Sequence, residues 1–347
     1  MSLLRSHQAS CRRKHNPGPA PALAAVLLAF VMPGAAADAA WLEDTRPLMG
    51  TEVRVRLWHA DDAAGNAALE ATFSEISRIE RLMSTYIDDS RISELNRHAA
   101  ERPVDAGEEL FDLIVRALDV SVLTLGAFDI TYDSVGQHYD YRARIRPDDA
   151  SLRDSLPAID YRLVEATQQG HYIRFLRHGV RINLGGIAKG YAVERGVQEL
   201  RRHNVDHAIV TAGGDSRLLG DRRGQPWVVG VRDPRNAGRV VLRIPLEDEA
   251  ISTSGDYERF FIEDDTRYHH ILVPTTGQPA AEIRSATVIG PDAVLTDALS
   301  TSVFVMGVDD GLRLVGTLPD YEAVVIDAEG ALFYSDGLRP PAQKNLR

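Results

Sequence analysis

Apolar positions along the chain repeat in two ways. Between Ala67 and Met83, the residues Leu69, Phe73, Ile76, Ile79, Leu82 and Met83 keep the three-and-four spacing of a helix with one buried face. Glu109 to Thr124 does the same with Leu110, Leu113, Ile114, Ala117, Val120 and Leu123, and Gly126 supplies a stop. Ser90, followed by Ser93-Glu94, starts a short helix through Asn96. Further helices are expected from Ile187 to about Arg202, from Val294 to Met306 after Pro291, and over Gly311–Leu318. Thr51–Leu57 alternates as a strand does. Short strands are expected at Tyr172–Phe175, Gly179–Ile182, Ala208–Thr211, Trp227–Val231, Val240–Ile244 and Ile251–Ser254. Others fall at Tyr257–Phe261, His270–Val273, Ala323–Ile326 and Ala331–Tyr334. Asp44–Thr51, with Pro47 and Gly50, reads as a loop, and Arg144–Ser155 as a polar connection. The pattern implies a mixed α/β (α+β) fold, and 347 residues suffice for two lobes sharing one site.

The N-terminus carries a different pattern. Arg5, Arg12, Arg13 and Lys14 precede a short apolar run from Ala20 to Met32, and Ala35-Ala36-Ala37 follows as a small-residue cleavage site. This reads as an export signal over residues 1–37, and the run is short for a membrane span. Arg12-Arg13 hints at twin-arginine export, but Lys14-His15-Asn16 lacks the apolar residues expected next. The Pro-rich end, 338–347, reads as a frayed tail.

Charge and cysteine content narrow the function. The only cysteine, Cys11, falls in the export segment, so the chain from residue 38 has neither a disulfide nor a thiolate metal site. Removing the four basic residues of that segment takes the net charge from −11 to −15. Such a surface disfavours nucleic acid and anionic membrane as partners. Any phosphate bound here must be met locally, by backbone and lysine or through a metal ion.

One stretch suits that task. Arg181–Gly196, RINLGGIAKGYAVERG, reads as the end of a strand, a glycine turn and a helix start, with Lys189 in the first helical turn. A helix N-terminus offers free N–H groups and a partial positive charge to an anion. The spacing is neither a Walker loop nor a GxGxxG fingerprint. Taken alone, an ordinary connection with a solvated lysine is the simpler reading. Asp297 and Thr301 lie four apart on an otherwise apolar helix, so they share one side. They suit a hard cation such as Mg²⁺, or else Asp297 caps the helix and Thr301 bonds back to a carbonyl. No GxSxG elbow is present, and His203 and His207 lack the glutamate of a zinc-protease motif. His270 suits either a base or a structural role.

Eight segments together resemble the ApbE family, the FAD:protein FMN transferases. They are LMGT (Leu48–Thr51), MSTYIDDSRISELN (Met83–Asn96), GAFDIT (Gly126–Thr131), NLGGIAKGYAVERG (Asn183–Gly196) and AGGDSRLLG (Ala212–Gly220). STSGDYERFF (Ser252–Phe261), HILVPTTGQP (His270–Pro279) and TDALSTSVFVMG (Thr296–Gly307) complete the set, in family order. The resemblance implies a T-fold-like architecture. It implies FAD bound with Mg²⁺ at its pyrophosphate, and transfer of FMN to a threonine hydroxyl of a target protein with release of AMP. It also implies that the target is a subunit of a membrane-associated electron-transfer system. By matching position, Met49, Tyr86, Ala127, Phe128, Asp129, Asn183, Lys189 and Leu272 would line the FAD. Gly186 through its carbonyl, Asp297 and Thr301 would hold the metal, and His270 would help deprotonate the incoming hydroxyl.

The chain departs from the family pattern in three places. Val273 stands where the family usually has Asp before proline, Asn183 replaces an Asp, and Tyr132–Gly136 replaces a GPL run. The same pocket would serve two other functions. One is an FAD pyrophosphatase with water as nucleophile; the other is a non-catalytic periplasmic FAD-binding protein.

Overall fold

A computed structural model describes residues 40–338. The export segment 1–37 and the tail from 339 lie outside the described residues. The main sheet runs in the spatial order Ala40–Leu48, Thr51–His59, Ala208–Ala212, Asp215–Leu219, Ala250–Gly255, Ile283–Gly290, Glu322–Asp327 and Leu332–Tyr334. Every neighbouring pair is antiparallel. This sheet and its helices give the mixed α/β class that the sequence pattern implies.

Three helices carry the sheet's main cover. Asp62–Met83 packs on the first two strands and on Ala188–Arg202, which in turn packs on Ala293–Met306. Their starts follow from local chemistry. Asp61 accepts from the Ala64 N–H at 2.9 Å, and Asp292 accepts from Val294 N–H at 2.9 Å and Leu295 N–H at 3.2 Å. The helix Ala293–Met306 sends Ala293, Val294 and Ala298 into one apolar core and Leu299, Val303 and Phe304 into a second. Residues between those two sets are therefore fixed from both sides. On the other face of the sheet, Leu218, Ile251, Ile289 and Val324 are covered by Trp227, Val231, Ile244 and Leu246 of a long hairpin. Among the described residues no helix is long and apolar enough to cross a membrane.

Several expected boundaries shift. Asp44–Leu48 is not a loop but the end of strand Ala40–Leu48, with the turn at Met49-Gly50. Proline is tolerated at position 47 because this strand is the sheet edge. Gly179–Ile182 pairs with no strand. Instead the Ile182 N–H and carbonyl are taken by the Asn96 side chain at 2.8 and 2.9 Å, and the Arg181 N–H by Ser134 Oγ at 3.0 Å. The connection after Arg144 contains a helix, Asp149–Ser155, whose cap Asp148 accepts from Ser151 N–H at 2.7 Å. Strands Asp215–Leu219 and Ile283–Gly290 were not foreseen in the sequence pattern.

Candidate active site

The lysine helix (Ala188–Arg202) and the aspartate helix (Ala293–Met306) touch backbone to backbone. A Cβ on Gly190 would lie 2.1 Å from the Ala293 carbonyl oxygen and 2.7 Å from the Asp297 Cβ, so only glycine fits. At this crossing the Gly190 N–H donates to Asp297 Oδ2 at 2.8 Å. The residue preceding the lysine helix, Ile187, makes no side-chain cap. Asp297, from the neighbouring helix, takes one of its free N–H groups instead. Asp297 does not cap its own helix; Asp292 does.

Lys189 reaches the same carboxylate from one residue earlier. Its Nζ donates to Asp297 Oδ1 at 3.2 Å and pairs more closely with Asp215 Oδ2. Asp215 and Asp297 are each 1% exposed, while the Lys189 side chain is 27% exposed. Asp215 Oδ1 has no hydrogen-bond partner. Burial, and then the charge of Asp297, push Asp215 up to about 7 against the pull of Lys189. Desolvation draws Lys189 down, but the two carboxylates outweigh it and hold its pKa above the usual lysine value. With both carboxylates ionised, the trio has one uncompensated negative charge inside the protein. A divalent cation would offset that charge.

Two more groups converge here. Thr301, one turn beyond Asp297, sets its Oγ1 3.1 Å from Ser254 Oγ. A Cβ on Gly186 would lie 3.3 Å from Thr301 Oγ1 and 3.1 Å from a ring carbon of Phe128. Gly186 thus packs closely on Thr301 and Phe128, one helical turn from Asp297. Among the described residues no group of three or more His, Cys, Asp or Glu is placed to hold a metal ion by itself. Any cation here would complete its shell with water or ligand oxygens.

The remaining residues of the expected site are placed as follows. Asn183 accepts from Gly185 N–H at 2.9 Å and donates to Asp133 Oδ1 at 3.1 Å and Thr85 Oγ1 at 3.3 Å. It therefore ties the glycine turn to the segment of Tyr86, which is 83% exposed. Met49 adopts a positive φ of 55°, and its N–H donates to Glu80 Oε1 at 2.8 Å. The Arg259 guanidinium lies over the adjacent Gly50, where a Cβ would sit 3.1 Å away. The Arg259 carbonyl accepts the His270 N–H at 3.2 Å. His270 is half-buried, its Nδ1 has no partner, and burial followed by Arg259 holds its pKa down, to about 3. It is a neutral imidazole with a free nitrogen.

Asp129 and Leu272 are held by internal contacts. Asp129 Oδ1 accepts from the Thr131 N–H at 2.8 Å and hydroxyl at 2.6 Å, and Oδ2 from the Tyr161 N–H at 2.8 Å. It shapes the backbone beside half-buried Ala127. Leu272 is buried with Val135 and Tyr139. Asp215 was missed as an individual residue. The signal was the Gly213-Gly214 pair, a two-residue hairpin that sets Ala212 opposite Asp215 and delivers the carboxylate at the first position of a buried strand.

The model of the ApbE family matches residues 49–325. An FAD:protein FMN transferase of Treponema pallidum is 33% identical over 311 residues, spanning 84% of this chain and 86% of that protein. One from Vibrio cholerae is 30% identical over 304 residues, spanning 84% and 89%. Among solved structures, the ApbE protein of Thermotoga maritima superposes with a TM-score of 0.80 at 34% identity, covering 86% of this chain and 98% of the other. The flavin transferase ApbE of Vibrio cholerae does so with a TM-score of 0.76 at 25% identity, covering 86% and 97%. The glycine turn, the lysine helix and the aspartate helix all lie inside the matched span, and the chain belongs to the ApbE family.

Proposed function

We propose that this chain transfers FMN from FAD to a threonine hydroxyl of a target protein, with AMP as leaving group and Mg²⁺ as the metal. The observation that supports the reading is the buried Asp215–Lys189–Asp297 trio, with Thr301 one helical turn from Asp297 and packed on Gly186. The unpartnered Asp215 Oδ1 and the charge excess make these residues fit a divalent ion. Asp297, Thr301 and the Gly186 carbonyl would hold it, and it would supply charge stabilisation on the phosphoryl oxygens. Lys189 adds a second positive charge toward the pyrophosphate. His270, with an unpartnered Nδ1, would accept the hydroxyl proton once a bound substrate raises its basicity from the low value set by burial and Arg259. The threonine oxygen forms a bond to the FMN phosphorus as the bond to the bridging oxygen breaks, and AMP departs with that oxygen.

No internal nucleophile elbow exists, so the attacking group comes from outside. Orientation of the acceptor threonine supplies much of the rate. The target we favour is a flavin-carrier subunit of a membrane-associated electron-transfer system. The chain would meet it in the periplasm after removal of residues 1–37. The test incubates FAD, Mg²⁺ and such a subunit with the enzyme and weighs the subunit by mass spectrometry. A mass gain of FMN that disappears when the acceptor threonine is alanine supports transfer. Free FMN and AMP with an unmodified subunit would make the chain a pyrophosphatase, and intact FAD a binding protein.

A further inference from the structure

We propose that Asp215 is a positioning residue: it keeps Lys189 paired while Asp297 exchanges the ammonium for a divalent cation, and so sets how tightly that cation binds. The inference rests on the cation site at Asp297 proposed above.

The geometry makes lysine and cation compete for one atom. Asp297 Oδ2 is engaged by the Gly190 N–H, a backbone group fixed by the close helix crossing. The oxygen not held by backbone is Oδ1, and Lys189 Nζ already contacts it at 3.2 Å. A cation arriving there must displace the ammonium. Lys189 then needs another anion, since an unpaired charge in this pocket is costly. Asp215 provides one. Its Oδ2 already pairs with Lys189, and its Oδ1 has no close partner beyond the weaker pull of the Ser252 hydroxyl on the carboxylate. The carboxylate cannot drift away, because the Gly213-Gly214 turn and the register opposite Ala212 and Ser252 fix its backbone. Packing does not explain an aspartate at 1% exposure with an oxygen left unsatisfied.

Two opposed effects follow. Removing the Asp215 charge leaves Asp297 as the lysine's sole anion in the trio, so the cation binds more weakly. Removing the lysine charge frees Asp297 Oδ1, so it binds more tightly. The experiment measures Mn²⁺ binding to the FAD-free protein from the electron paramagnetic resonance signal of free Mn²⁺. Asp215→Asn should weaken binding by about tenfold, the scale of an outer-shell loss at a metal site. Lys189→Met should tighten it, and adding Asp215→Asn to Lys189→Met should change it little, because the lysine through which Asp215 acts is gone. Asp248→Asn, at an exposed carboxylate, should leave it unchanged. If Asp215→Asn does not fold, the double variant, in which no lysine needs a partner, must bind Mn²⁺ as tightly as Lys189→Met. Wild-type affinity in folded Asp215→Asn, or a double variant about tenfold weaker than Lys189→Met, overturns the proposal. Unchanged binding in Asp297→Asn would instead remove the cation site itself.

Discussion

The Gly190 N–H and Asp297 Oδ2 meet at 2.8 Å, so the carboxylate assigned to the cation also caps the helix that carries Lys189. Site and scaffold are coupled at this one bond. A Cβ on Gly190 would force the helices apart, because the atoms it meets are backbone and Cβ and cannot rotate away. Gly190→Ala should therefore destabilise the protein by about 1–3 kcal/mol or more through overpacking. It should also separate Lys189 from Asp297. Urea unfolding checks the first effect. A midpoint equal to wild type would show that the crossing is loose.

Asp297→Asn removes the charge but keeps an oxygen for the Gly190 N–H. The fold should persist, with a loss of about 1–2 kcal/mol from the weaker bond. Flavin transfer should fall by at least roughly a hundredfold, the scale of losing one preorganised electrostatic contact. Thr301→Val should not add its full loss to this variant, since both side chains would serve one ion. Single-turnover assays on the four proteins of the cycle decide it, and simple additivity would place Thr301 outside the cation's shell.

Lys189→Ala leaves two buried carboxylates facing one another. We expect a stability loss of about 2 kcal/mol, less than for a sealed ion pair because the lysine is partly exposed. Added Mg²⁺ should recover much of it, by supplying the missing positive charge. Thermal melts with and without Mg²⁺ test this. A melting temperature in Lys189→Ala no lower than wild type without metal would mean the trio is not electrostatically strained.

His270 supplies the pH prediction. Its pKa is held down, to about 3, against an unfolded value near 6.5. Between these values the unfolded chain binds the proton and the folded chain does not. Stability from this residue is therefore present above about pH 6.5 and lost as pH falls toward 3. His270→Gln should flatten the acid side of the stability curve over that window. A variant whose melting temperature falls with pH as steeply as wild type would assign the acid loss to other groups.

How much of this was legible in the sequence depends on what each residue answers to. The helices Asp62–Met83 and Glu108–Leu123 show their apolar stripe because one face meets the core and the other meets water. Strand Ile283–Gly290 has little alternation to read, since it is buried over almost its whole length and carries Ser285 and Thr287 inside. Gly179–Ile182 looks like a strand and is extended, but side chains of Asn96 and Ser134 take its backbone bonds. No local rule reports that distant choice. At the site, the spacing of Lys189, Asp297 and Thr301 suits a phosphate and a cation, but alone it suits ordinary helix contacts as well, and only the family resemblance singles these residues out. Asp215 does not, because its meaning comes from a hairpin register and from a lysine 26 positions earlier in the chain.

The last prediction concerns Asn183, where the family usually has aspartate. Asn183 donates its amide to Asp133 Oδ1 at 3.1 Å and accepts from Gly185 N–H at 2.9 Å. Burial already raises the Asp133 pKa, opposed by Arg181 and by this very amide. An aspartate at 183 would keep the bond to Gly185 but replace a donor by a second negative charge. Asn183→Asp should therefore cost about 1–3 kcal/mol, the price of a buried acceptor left facing a like charge. The sign with pH follows from the raised pKa. The folded state holds the Asp133 proton more tightly than the unfolded chain, so the penalty is smallest at low pH and grows as pH rises through the folded pKa. Asp133→Asn should rescue Asn183→Asp, because the amide donor is then restored from the other side. Melting temperatures of both single variants and the double at pH 5 and pH 8 test the pair. A penalty in Asn183→Asp that is equal at both values, or no rescue in the double, would show that the glycine turn does not depend on this bond.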